Sequence, residues 1–160
     1  MENKLMEAYG RFKEGLKDKH NRGWDFEGMF NEFISVYKNA TKEEQTGLRI
    51  KLAEDIKINE SIQGDQTVLS CDLIYFCSRI AVPEAKEKLL DIFDYVSKTY
   101  NKTAENAFLY CRLIEGLTLL RAGEIKRKLI ELSNGNSVDG WYKDICDIAT
   151  KCLGEYTEDQ

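Results

Sequence analysis

The chain has 160 residues, of which 42% are apolar and 32% charged, a balance that suits one globular domain and excludes a disordered polar chain. Its net charge of −5 argues against nucleic-acid binding, which calls for a basic stripe or patch, and no run approaches the roughly 18 apolar residues of a membrane-spanning helix. The opening MENKLMEAYGRFKEGL lacks the continuous apolar core of a secretory leader, and five cysteines, an odd number, fit free thiols in a reducing cytoplasm.

In chain order, the first predicted element runs from Asn3 to about Lys19, with Leu5, Tyr9, Phe12 and Leu16 on one helical stripe. Residues 19–23, KHNRG, break it, and Asp25 is placed to cap a second helix carrying Phe26, Met29, Phe30, Phe33, Ile34 and Tyr37. Thr41 and Glu44 form a capping box at the start of a third helix, which presents Leu48, Leu52 and Ile56. NESIQGDQ (59–66) reads as a loop. The fourth helix, about Gln66 to Ala81, is apolar nearly all round and therefore belongs inside a stack. Pro83 suits the first turn of a fifth helix carrying Leu89, Leu90, Phe93, Val96 and Tyr100. Thr103 caps a sixth, Ala104 to Arg121, and Gly123 separates it from a seventh that runs to about Leu132. After the polar stretch 133–140, a last helix from about Trp141 to Tyr156 shows Ile145, Ile148, Cys152 and Leu153.

A shift of 40 residues superimposes Leu69 on Leu109, Cys71 on Cys111, Leu73-Ile74 on Leu113-Ile114, Glu84 on Glu124, Leu89-Leu90 on Leu129-Ile130 and Asp91 on Glu131. A second shift backwards meets Met29, Phe33-Ile34, Glu44, Ile50 and Leu52. The apolar pattern therefore predicts three helical pairs, 25–58, 66–100 and 103–133, between an N-terminal capping helix in 1–24 and a C-terminal one in 139–156. Two helices per 40-residue unit resembles HEAT repeats. That resemblance implies an all-α fold of a single domain: a short right-handed stack of antiparallel helix pairs, each burying its neighbour's face.

Little in the residues supports catalysis. His20, the single histidine, sits in a polar helix-end run, where a cation simply complements the helix dipole. No CxxC, HxxxH or HExxH spacing occurs, so no structural or catalytic zinc is expected. Cys71 and Cys77, like Cys146 and Cys152, lie six residues apart and so about 120° apart around a helix, too far to share one ion. Buried thiols acting as small apolar groups account for them. Phosphate-binding glycine loops are missing too. The reading is a non-enzyme with no cofactor and no metal.

Surface remains. In HEAT-like stacks the second helix of each pair lines the inner face. The resemblance therefore selects Glu54, Asp55, Asp91, Asp94 and Glu131 as outward carboxylates that meet a basic protein. Small size, acidity and helical class are also similar to bacterial immunity proteins, which neutralise cognate toxins, many of them basic nucleases. The expected function is inhibition of such a basic toxin by occlusion, by a monomer with no nucleic acid or membrane as partner. A general adaptor receiving a partner helix or peptide is the alternative. A HEAT-like DNA glycosylase would need a basic channel, which the charge balance disfavours.

Overall fold

The computed structural model describes residues 3–17, 26–58, 65–99, 104–135 and 140–156. These contain eight α-helices and no strand: α1 (Lys4–Lys17), α2 (Phe26–Asn39), α3 (Lys42–Asp55), α4 (Asp65–Arg79), α5 (Lys86–Thr99), α6 (Ala104–Leu119), α7 (Lys126–Ser133) and α8 (Gly140–Leu153). The capping roles expected of Asp25 and Thr103, the loop at 59–64 and the surroundings of His20 lie outside the described residues.

Most described members of the predicted stripes are buried, while Met29, Ile34, Leu90, Ile148 and Leu153 are half-buried. On α1, Leu5, Tyr9 and Phe12 are sealed from solvent, and on α2 Phe30, Phe33 and Tyr37 face them. Phe12 stacks on Phe33 with ring centroids 5.0 Å apart, and Phe33 reaches Phe76 of α4 at 5.1 Å. An aromatic cluster thus joins α1, α2 and α4, where ring edges and faces add to the area term. Leu73, Ile74, Leu113 and Ile114 are fully buried where α4 packs on α6. These two helices approach so closely at Gly116 that a Cβ there would stand 3.2 Å from the Cys77 carbonyl oxygen. A side chain at that crossing would require the Cys77 backbone opposite it to give by a few tenths of an ångström.

The 40-residue period is visible in the element boundaries. α4 and α6 end 40 residues apart, at Arg79 and Leu119, and short 3₁₀ turns follow at Pro83–Ala85 and Gly123–Ile125. α5 and α7 begin at Lys86 and Lys126. Val82 and Ala122 precede the two 3₁₀ turns and carry no capping oxygen. The first turn tightens instead, with Ala85 N–H donating to the Val82 carbonyl at 3.0 Å and Ile125 N–H to that of Ala122 at 3.3 Å. α3 starts differently because Thr41 does carry that oxygen: its hydroxyl accepts from Glu44 N–H at 3.1 Å. The reciprocal half of the expected box is altered, since the Glu44 carboxylate accepts from the Thr41 hydroxyl at 2.9 Å.

Equivalent acids tie successive pairs together. Arg49 of α3 donates to Glu84 at 2.7 Å, and Lys86 of α5 stands 3.2 Å from Glu124. Desolvation opposes the charge of Glu84, but the Arg49 guanidinium outweighs it and holds the carboxyl below its ordinary value. Ser70, buried on α4, both accepts from Lys57 N–H at 2.8 Å and donates to the Lys57 carbonyl at 3.0 Å, docking the end of α3 onto α4.

α8 packs against both α6 and α7, with Ile145, Ala149 and Cys152 buried. The chain leaves α6 through Arg121, whose φ of 51° is left-handed. Arg121 N–H bonds the Thr118 carbonyl and Ala122 N–H that of Leu117, at 2.9 and 3.0 Å. That is the pattern of a Schellman ending, which glycine usually occupies. Here the Arg121 side chain holds itself there, donating to the Thr118 carbonyl at 2.7 Å and reaching Glu155 at 3.4 Å.

Candidate interaction face

The five selected carboxylates divide in two. Glu54, Asp91, Asp94 and Glu131 are exposed on α3, α5 and α7. The 40-residue shift makes Glu54 equivalent to Asp94, and Asp91 equivalent to Glu131, so the exposed acids occupy two repeated rows. Asp94 and Glu131 line one groove of about 380 Å³ between α5 and α7, floored by Leu90, Phe93 and Ile125.

Asp55 corrects the expectation that it faces outward. Its side chain is only 19% exposed, because it accepts from the Tyr9 phenol at 2.8 Å and from Lys13 at 3.1 Å, with Lys51 3.4 Å away. Burial opposes its charge, yet the bonds from Tyr9 and Lys13 and the two nearby ammonium groups prevail and lower its pKa from 3.8. Tyr9 is pushed up first by burial and then by the carboxylate it serves, so the phenol keeps its proton and the triad locks α1 onto α3.

The groove is less acidic than the sequence suggests. Arg127 and Lys128 line it beside Asp94, Glu124 and Glu131. Lys98 pairs with Asp94 at 2.9 Å and Lys128 with Glu131 at 3.6 Å, one helical turn apart in each case and well solvated. Such exposed pairs contribute little to stability. They leave the carboxylates available to exchange partners. Lys126, Arg127 and Lys128 are consecutive in the sequence, and the rotation of α7 about its axis places Arg127 and Lys128 in this groove.

A second cleft of about 430 Å³, between α2 and α4, was not anticipated. Glu27, Asn31, Lys38 and Arg79 rim it over Phe30 and Tyr75. The Tyr75 ring lies under two guanidinium groups, with Arg112 at 4.3 Å and Arg79 at 5.3 Å from its centre. A stripe along one helix does not signal this cleft, since its residues come from two helices, α2 and α4.

All five cysteines are free. Burial pushes the Cys77 thiol up to about 12, and burial followed by the Glu115 and Asp144 charges does the same to Cys111, so neither is a nucleophile near neutral pH. Cys71, expected to be buried, is half-buried. Among the described residues no three His, Cys, Asp or Glu side chains are placed to hold a metal ion, and none of the helices is long and apolar enough to cross a membrane. Comparison with protein-family models, curated proteins and solved structures finds no match for this chain.

Proposed function

We propose that this chain is a short right-handed HEAT-like stack, capped by α1 and α8, that acts without turnover of its own. On this reading it occludes a basic protein partner in the manner of bacterial immunity proteins. Boundaries that recur every 40 residues, α4 laid on α6 and α8 closing over α6 and α7 support the stack. One observation carries the function: exposed carboxylates recur at equivalent positions of successive second helices, Glu54 with Asp94 and Asp91 with Glu131. A repeated row of solvated acids steers a basic surface toward it and sets its register.

The charge-reversed variant Asp91→Lys, Glu131→Lys tests this. The native partner is captured with the wild-type protein, and association and dissociation are then measured at low and moderate salt. Because these acids are exposed and Glu131 already pairs with Lys128, reversal should slow association by roughly tenfold or more at low salt and flatten its salt dependence, with a smaller change in dissociation. Unchanged kinetics at both salts would remove this face from the function. A captured partner that is acidic, or turnover of a small substrate by the purified protein, would overturn the reading.

A further inference from the structure

We infer that the cleft between α2 and α4 binds a small organic carboxylate with an apolar body, its carboxylate held by Lys38 and Arg79 and its body by Phe30, Ile34, Tyr75 and Ile80. The cleft stands on α2 and α4, whereas the acidic rows stand on α3, α5 and α7, so the inference does not rest on the function proposed for those rows. At about 430 Å³ it falls within the roughly 300–1,000 Å³ of small-molecule sites, which combine apolar walls with a few convergent polar groups.

The cleft follows from what the chain places at one position of its 40-residue register. Where α4 meets α6, Gly116 lets the backbones close, and a Cβ there would stand 3.2 Å from the Cys77 carbonyl oxygen. Forty residues earlier the corresponding residue is Phe76. Its ring meets those of Phe33, Tyr37 and Phe30 at 5.1, 5.7 and 6.3 Å, so rings rather than close backbones join α2 to α4. Phe30 and Tyr75, with centroids 4.7 Å apart, floor the gap beside them. The two cations are particular to this gap, since the same shift meets Ser78 in place of Lys38 and Leu119 in place of Arg79.

Contact rather than net charge selects the ligand. Together α2, α4 and α6 carry six acids and three bases, so no long-range field gathers anions here. Of these nine groups only Glu27, Lys38 and Arg79 line the cleft. Glu27 precedes Lys38 by eleven residues on α2, about 16 Å along the axis, which leaves the Lys38 end without a carboxylate. Neither Lys38 nor Arg79 is ion-paired among the described residues, and Glu27 and Glu115 act on Arg79 only at a distance. Tyr75 holds Arg79 instead: the guanidinium donates to the phenol oxygen at 3.2 Å and stands 5.3 Å from the ring centre. Its remaining N–H groups are free to meet a carboxylate with two parallel bonds. A bare inorganic anion would satisfy the cations but leave the aromatic floor in water. An apolar body covers that floor and adds its burial to the ionic contact.

The probes are 3-phenylpropanoate, its neutral amide, and acetate, titrated into the full-length protein with labelled isoleucine methyl groups. 3-Phenylpropanoate should shift the methyls of Ile34 and Ile80 and saturate with a Kd of about a millimolar or tighter, which its roughly eleven non-hydrogen atoms permit. The amide, which cannot pair with the cations, and acetate, which has no body to bury, should each bind roughly tenfold more weakly or worse. Lys38 and Arg79 are exposed, so the Lys38→Gln, Arg79→Gln variant should keep its melting temperature. Its preference for the acid over the amide should fall below about threefold while its affinity for the amide changes little. Lys38→Gln alone leaves the contact of Arg79 with Tyr75 intact and should lower that preference part of the way. Equal binding of acid and amide, acetate as tight as the phenyl acid, or a preference that survives in the double variant would overturn the site. So would the lack of a saturable shift, or shifts at Ile114 and Ile145 in place of Ile34 and Ile80. Charge reversal at Asp91 and Glu131 should leave the titration unchanged; a loss there would put the probe on the acidic rows and end this assignment.

Discussion

Asp55 shows how one side chain can be turned from surface to structure by its neighbours. Its carboxylate gathers the Tyr9 phenol and the Lys13 and Lys51 ammonium groups. Asp55→Ala should therefore cost about 1–3 kcal/mol in urea unfolding, mostly by leaving the buried Tyr9 hydroxyl without its acceptor. Because the folded protein holds Asp55 below its ordinary 3.8, its contribution is complete above that pH. It is lost as pH falls from there through the lower folded value. The wild-type advantage over the variant should accordingly shrink in acid; an advantage that grew in acid would contradict this assignment. The thiols make a second test at this scale. Cys77 and Cys111, sealed and held protonated, should react with a thiol dye only under denaturing conditions, whereas half-buried Cys71 should react measurably in native buffer. Rapid native labelling of Cys77 would mean that α4 is not packed as described.

Along an element, the covered face rather than the residue type decides the energetic cost of a substitution. Ile114 on α6 is fully buried and Ile130 on α7 is 43% exposed. Ile114→Ala should destabilise by about 2–5 kcal/mol, through lost burial and a cavity at the α4–α6 contact. Ile130→Ala should change stability by less than about 1 kcal/mol, because much of its surface is already in water. Denaturant midpoints of the two variants compare them directly, and equal losses would show that α7 is rotated from its described orientation. The 3₁₀ turns that open α5 and α7 belong to this scale as well. They follow from the lack of a capping oxygen at Val82 and Ala122, where α3 has Thr41.

For the whole molecule, the described helices share one buried cluster, to which each of the eight contributes. α8 covers both α6 and α7, and Tyr156 beyond it donates to the Ala122 carbonyl at 2.9 Å. A chain ending before Gly140 should therefore expose the apolar faces of α6 and α7. It should unfold at markedly lower urea concentration or aggregate, as measured by unfolding midpoint and light scattering. A truncated chain as stable as the full one would show that α8 is an appendage. The ion pairs of Arg49 with Glu84 and Lys86 with Glu124 join segments 35 and 38 residues apart, and partly solvated pairs of this kind contribute modestly to stability.

The positions of the helices and the 40-residue period were legible in the residues alone, because both are local or self-similar properties. A stripe such as Leu5, Tyr9 and Phe12 recurs with the helical turn, and a repeat aligns with itself whatever it packs against. Leu89-Leu90 and Leu129-Ile130 were legible only as apolar pairs. Successive helical residues diverge by about 100°, so the two members of each pair are covered unequally and the neighbouring helices decide which is covered more: Leu89 and Leu129 are buried, Leu90 is half-buried against the core and Ile130 is exposed. Packing left Ile130 exposed and Leu90 half-buried, and α1, arriving from 42–46 residues away, turned Asp55 inward. The same rotation of α7 brought Lys128 and Arg127 into the groove with Asp94. Periodicity records how often a side chain recurs on a face; only the packed structure determines what that face is set against.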